Sequence, residues 1–446
     1  MEARPQIPIT THPARDRSAA FFALAITFLV FAVMGISGAM ATTLVPAVRA
    51  IFGLSLSSAI AVQWIALVVI GFASLPLARL LQWRGAAQAT IFGLTLVTLG
   101  CLAVAIAVLP NQQLGPQYAT LLCSLAVVAL GNTTLQVAAN LLAVELGDRS
   151  KGPARLTLAQ GFNSLGVLIG VHIGASYMLG AGCGASNACH REIAIGTAQV
   201  YLFSATVSFV VLMFAIFGRR LLAIPIAVAP ADPKANVRRS LFRSGWALAG
   251  AGAIALYVGA EGAIGSILIS FLQQPAVLDL PVSAAGALVA NVYWGGALLG
   301  RFAGGWLLSG RLAPRILAGT AAFAAIACFV ALSCSGQLAG WAALSIGLLN
   351  AIMFPVIFSI TLERAAAPPA AVSGLLSMSI GGGALISVAV GWVGDRFGIS
   401  AAFAVPMCAY LYVLVFAVLA VILPGSSPPP QESRTTSSVG KRSDLT

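Results

Sequence analysis

Residues 132–140 read Asn132-Thr-Thr-Leu-Gln136-Val-Ala-Ala-Asn140, and residues 158–166 read Leu158-Ala-Gln160-Gly-Phe-Asn163-Ser-Leu-Gly166, with a short basic link between. Both stretches are apolar apart from their carboxamides and hydroxyls. Asn132, Gln136 and Asn140 recur every four residues and descend one face of a helix; Gln160 and Asn163, three apart, share a face of the next. In hydrocarbon a carboxamide is costly unless something hydrogen-bonds it. Five on two consecutive helices point to a shared polar interior, whose uncharged donors and acceptors suit a neutral, hydroxyl-rich ligand. The competing reading is interhelical polar glue, which membrane helices also use.

The rest of the chain explains why hydrocarbon is the right solvent to consider. Of 446 residues, 59% are hydrophobic and 8% charged, where soluble domains carry about 25% charge. Mean hydropathy is +0.97. A spanning helix needs about 20 apolar residues. Twelve stretches qualify: 19–47, 57–81, 87–109, 117–144, 154–179, 197–217, 244–273, 283–308, 314–333, 338–362, 371–394 and 400–423. The first is expected to be a retained helix, not a cleaved signal peptide. The expected organisation is an N-terminal tail (1–18), six helices (19–217), a basic link with three prolines (218–243), six more helices (244–423) and a Pro/Ser-rich disordered tail (424–446).

The net charge of +12 is distributed as a membrane protein distributes it. With the N-terminus inside, all of the 24 Lys and Arg except Arg49, Arg191 and Arg396 fall on the cytoplasmic side, as the positive-inside rule demands. Both termini are then cytoplasmic, and a nucleic-acid partner is not expected.

Among twelve acidic residues, Glu261 alone falls deep in an apolar helix. An ionisable group there is functional by default, with a structural pair to Arg301 as the alternative. The histidines His12, His172 and His190 do not cluster, and no nucleophile–base pair or phosphate loop is visible, so an enzyme is not expected. His172 reads as a bonded core residue. Of seven cysteines, Cys183 and Cys189 share one outer loop and are placed to pair if it faces an oxidising compartment. No metal spacing or cofactor motif is present.

Five motifs carry a family resemblance. Leu135-Gln-Val-Ala-Ala-Asn140 and Arg155-Leu-Thr-Leu-Ala-Gln-Gly-Phe-Asn-Ser-Leu-Gly166 resemble the fucose permease family of sugar:proton symporters, within the major facilitator superfamily. Tyr257-Val-Gly-Ala-Glu261 with Ile264-Gly-Ser266, the run from Gly347 to Ser359 through Asn350, and the run from Ser373 to Ala384 are similar to its bacterial glucose/galactose permease branch. The resemblance implies an all-α fold of two six-helix halves with a sugar cavity between them. It implies that Gln160 and Asn163 bind sugar hydroxyls, and that Gln136 stands where relatives carry Glu or Gln. Asn140, Glu261, Asn291 and Asn350 complete the candidate lining, and Glu261 is the candidate proton carrier. Two departures stand out: Thr42 lies where the family carries a helix 1 aspartate, and Asn140 is followed by Leu141 in place of Pro.

The expected function is transport of a neutral monosaccharide across a bacterial inner membrane, by a monomer with a proton as candidate co-substrate and no cofactor. An uncoupled facilitator and an efflux transporter remain alternatives. Efflux pockets are apolar and aromatic, whereas this interior is rich in carboxamides. A transport-dead sensor would need a larger cytoplasmic tail.

Overall fold

The computed structural model describes residues 13–54, 56–109, 114–178, 187–222, 237–308 and 312–423. Among them every regular element is helical. This is what hydrocarbon requires, because a helix satisfies its own backbone polar groups. The first half contains α1 (Pro13–Phe52), α2 (Leu56–Ala107), α3 (Leu114–Glu145), α4 (Gly152–Met178) and α5 (Asn187–Phe217). The short α6 (Val237–Arg243) leads to the second half: α7 (Gly245–Leu272), α8 (Val282–Leu288), a π-helical turn (Val289–Trp294), α9 (Gly295–Leu307), α10 (Ala313–Ser333), α11 (Gly336–Asn350), α12 (Met353–Arg364), α13 (Pro369–Phe397) and α14 (Ala404–Ile422). Residues 1–12 and 424–446, the middle of the link and the loop with Cys183 lie outside the described residues; residues 13–18 of the expected tail belong to α1, and Cys189 to the first turn of α5.

Ten helices among these are long and apolar enough to cross a membrane. The twelve expected spans follow from two details. α2 is two spans joined at Gly85, where the backbone turns to φ 81°, ψ 168°, a conformation open to glycine. The eighth span is α8, the π turn and α9 in succession. The tenth is interrupted at Ala351–Ile352, between α11 and α12.

Helix ends are closed by side chains. Ser244 starts α7 by accepting from Ala247 N (3.3 Å) and ties in the chain after α12 by accepting from Ala366 N (3.2 Å). Arg155 donates to the carbonyls of Ala143 (3.0 Å) and Val144 (2.5 Å) at the end of α3. Arg364 donates to Ala420 (2.6 Å) and Leu423 (2.9 Å) at the end of α14 and lies over the Trp246 ring at 4.8 Å. A cation at a helix C-terminus satisfies orphan carbonyls and opposes the dipole.

The Gly166/Gly170 ladder of α4 is a packing device, as small residues spaced four apart usually are in membranes. A Cβ on Gly166 would strike the Ala32 carbonyl, and one on Gly170 the Ile36 carbonyl. On the facing helix, a Cβ on Gly35 would strike the Asn163 carbonyl. α1 and α4 therefore meet backbone to backbone.

The halves meet along two seams, α4 with α9 and α12, and α2 and α3 with α13. In the first, Gly305 lies against Ala154 and Leu158, Gly304 against Thr157, and Phe302 against Gly161 and Phe162, the two rings 6.1 Å apart. In the second, Gly374 lies against Ser74 and Ala78, and Gly381 against Leu67 and Ile70. Ser373 donates to the Val137 carbonyl at 2.7 Å. Both seams run from the end of the bundle at which α4 and α13 begin and α9 ends, here called the base. Past Ser164, α4 turns exposed side chains outward (Leu165, Val167, Leu168), and on the eighth span Asn291 and Trp294 are exposed. The halves are joined at the base and part toward the other end.

Candidate sugar and proton site between the halves

The side chains expected to line a cavity divide into three groups. Gln136 on α3 and Gln160 on α4 are half-buried, and no hydrogen bond is formed by either carboxamide among the described residues. Asn291, on the π turn, is exposed. These three have donors and acceptors to offer. A π turn places one extra residue in a helix and is frequent at functional sites.

The second group is glue. Asn132 accepts from Ser37 Oγ at 3.0 Å, and Asn163 donates from Nδ2 to the Phe31 carbonyl at 3.1 Å. Both bonds join α1 to a neighbouring helix. Asn163 keeps Oδ1 for other partners, so its expected role as a hydroxyl ligand is halved.

The third group is closed off in the described conformation. Asn140 and Asn350 are fully buried and reach no open space. Neither atom of the Asn140 carboxamide has a partner among the described residues. Its four-residue spacing from Gln136 keeps it on the same face of α3, but one turn nearer the base. Asn350 instead donates to the Tyr293 hydroxyl at 3.3 Å. It positions a neighbour. One expectation is corrected: the side chain of His172 is exposed and is not that of a bonded core residue. The side chain of Thr42 lies outside the described set.

Glu261 sits at the centre of the arrangement, with its side chain 13% exposed. Tyr257, one turn earlier on α7, places its hydroxyl 2.9 Å from Glu261 Oε2 and 3.1 Å from the Asn350 carbonyl. The hydroxyl has one proton, and an ionised carboxylate is the stronger acceptor. Tyr293 donates to the Glu261 backbone carbonyl at 2.9 Å. Arg301 on α9, 17% exposed, lies 3.5 Å from Glu261 Oε1 and also donates to Ser164 Oγ on α4. The charge count assigned Arg301 to the cytoplasmic side. It is instead inside the bundle, because Glu261 and Ser164 supply the partners that a buried guanidinium needs. The Glu261–Arg301 pairing was legible as the structural alternative. The Tyr257, Tyr293 and Ser164 partners were not; Tyr293, within the polar run Asn291-Val-Tyr-Trp294, was the available signal.

The arrangement offers uncharged hydrogen-bonding groups on the first half and one carboxylate–guanidinium pair on the second. No group of three or more metal-ligating side chains is present among the described residues.

No protein-family model matches the chain. It is 32% identical over 416 residues to a glucose/galactose transporter of Brucella abortus (strain 2308), covering 92% of this chain and 97% of that one. It is 30% identical over 394 residues to a putative glucose/galactose transporter of Helicobacter pylori (strain J99), covering 87% and 94%. An L-fucose-proton symporter of Escherichia coli (strain K12) is 29% identical over 328 residues, 67% of this chain and 72% of that one. The fold matches the crystal structure of the major facilitator transporter FucP in the outward conformation, with a TM-score of 0.78 at 23% identity over 90% of this chain and 99% of that one. The architecture, the shared motifs and the full-length identity agree: the chain belongs to the major facilitator superfamily and, within it, to the fucose permease family of multi-pass membrane transporters, in the glucose/galactose transporter branch.

Proposed function

We propose that the protein imports a neutral hexose together with a proton across the bacterial inner membrane, by rocking its two halves about a site between them. The observation that carries this reading is the pairing of unused carboxamides, Gln136 and Gln160, on one half with the Glu261–Arg301 pair on the other. Neutral donors and acceptors match sugar hydroxyls, and a carboxyl within the bundle can bind and release a proton while the guanidinium beside it stays charged. Relatives named as glucose/galactose transporters and as an L-fucose-proton symporter support the same substrates. Alternating access by two halves around a fixed central site is the general scheme of such folds.

The distribution of Lys and Arg supports cytoplasmic termini, with the joined base facing the cytoplasm. In this orientation the described conformation opens to the outside, ready to load. Gln136, Gln160 and the Oδ1 of Asn163 are assigned to sugar hydroxyls, Asn291 to the outer rim and Glu261 to the proton. A second reading, downhill facilitation without a proton, is favoured by Thr42 in the helix 1 position where relatives carry an acid.

Uptake into proteoliposomes tests both readings. Labelled glucose, galactose and fucose are supplied with and without an imposed proton gradient. Accumulation above equilibrium only with the gradient supports symport. Equilibration unaffected by the gradient supports facilitation. Uptake of no sugar in the panel overturns both.

A further inference from the structure

The α4–α9 seam ends in a polar contact. From the base it runs through glycine and phenylalanine contacts, Gly305, Gly304 and Phe302 against Ala154, Thr157 and Phe162. Its last member is Arg301 donating to Ser164 Oγ. Beyond that point the two halves separate. The same guanidinium faces Glu261 at 3.5 Å, and its Nε has no partner among the described residues. One side chain thus touches the other half through one nitrogen and the buried acid through another.

We propose that Arg301 is a latch between the halves, held shut by the charge on Glu261. Ionised Glu261 keeps the buried guanidinium neutralised and aimed at Ser164, and the seam stays closed. Protonation of Glu261 leaves Arg301 as a buried cation whose remaining contact is a neutral hydroxyl. An unpaired buried charge is strongly destabilising. The cation is relieved by turning toward the open end, and the contact with Ser164 that ends the seam is given up. Proton binding from the open end therefore weakens closure at the base. This is the sign that symport requires, and it rests on the reading of Glu261 as the proton-carrying acid.

The surroundings leave few other candidates for this control. Glu261 faces Tyr257 on its own helix, Tyr293 on the π turn and Arg301 on α9. α4 contributes Ser164, with Arg155 and His172 toward its ends, and α11 contributes the neutral Asn350. α12 and α13 carry their charges at their ends, as Glu363, Arg364, Asp395 and Arg396. Cys328 on α10 and Tyr410 on α14 are buried and neutral. Arg301 is the charged side chain in contact with the acid.

The test is a distance across the base. Lys151, just before α4, and Leu312, just after α9, are both exposed. Spin labels on K151C and L312C, in a chain whose other cysteines are replaced, read the separation of the halves in nanodiscs without sugar. The wild-type background is expected to lengthen from a short to a longer distance as pH falls. Glu261→Gln is expected to show the longer distance at every pH. Ser164→Ala, a small change at a half-buried position, is expected to lose most of the pH response, as is Arg301→Gln. An undiminished pH response in Ser164→Ala, or in Glu261→Gln, overturns the latch, and so does a wild-type distance that ignores pH. The readout needs no sugar. A pH-driven opening in a protein that carries no hexose would sink the transport reading and keep the latch; hexose uptake with a pH-independent distance would do the opposite.

Discussion

Asn163 reaches across from α4 to the backbone of α1 and donates Nδ2 to the Phe31 carbonyl at 3.1 Å. The same helix pair is in backbone contact at Gly35 and Gly166. Asn163 is therefore part of the frame that holds the cavity wall as well as a candidate for the wall itself.

This separates three substitutions that sequence alone treats alike. Gln136→Ala and Gln160→Ala remove carboxamides with no protein partner, so thermal stability in detergent should stay near wild type. Each should weaken hexose binding by about 1–3 kcal/mol, the cost of a lost hydrogen bond to a buried hydroxyl, or roughly 5- to 150-fold in Kd. Asn163→Ala should lower both melting temperature and affinity. Calorimetric binding beside melting curves reads the difference; equal stability losses in all three would make the glutamines glue too.

Glu261→Gln should preserve sugar counterflow and abolish gradient-driven accumulation, because the amide imitates a permanently protonated acid. Proton uptake on sugar addition should vanish with it. Undiminished accumulation by this variant would remove Glu261 from the coupling path.

Asn140 is buried with no hydrogen-bond partner for either carboxamide atom among the described residues. Leucine has similar volume and no polar group to desolvate, and such replacements are close to neutral or stabilising. Asn140→Leu should therefore hold or raise the melting temperature. Loss of transport beside that gain would mean that the carboxamide finds its partner only when the base is open. A clear drop in stability would refute the unpartnered assignment.

Gly166→Val should be severe. The added carbons meet the Ala32 carbonyl, and a backbone atom cannot be displaced cheaply. Overpacking costs about 1–3 kcal/mol or more, so folded protein recovered by size-exclusion chromatography should fall sharply. Gly262→Ala, at a glycine with open space around it, is the control and should be recovered as wild type.

Much of this architecture could be read from apolar run lengths, because hydrocarbon thickness sets helix length. Twelve spans and the division at 218–243 follow from that constraint. Junctions did not follow: the link at Gly85 and the break at Ala351–Ile352 depend on a few dihedrals within uniformly apolar sequence. Periodicity placed Gln136, Gln160 and Asn140 on helical faces but could not say how far toward the base each lies. That depth decides which carboxamides meet open space and which are buried. Arg301 was misplaced for a related reason. Charge counting assigns a side to a residue near a helix end, and only the partners around it reveal that it turns inward.

The π turn at Val289–Trp294 has a consequence for chain length. It stores one residue more than an α-helix would use over the same rise. Deleting any single residue from 289–294 would let the span relax into an uninterrupted α-helix with its ends in place. The flanking turns would keep their phase, so Arg301 would stay against Glu261 and Ser164 while the exposed Asn291 would be lost or re-aimed. The same deletion a turn later, in regular α9, has no stored residue to absorb it and would rotate the rest of the helix by about 100°. One missing residue is thus absorbed at the turn and disruptive beside it.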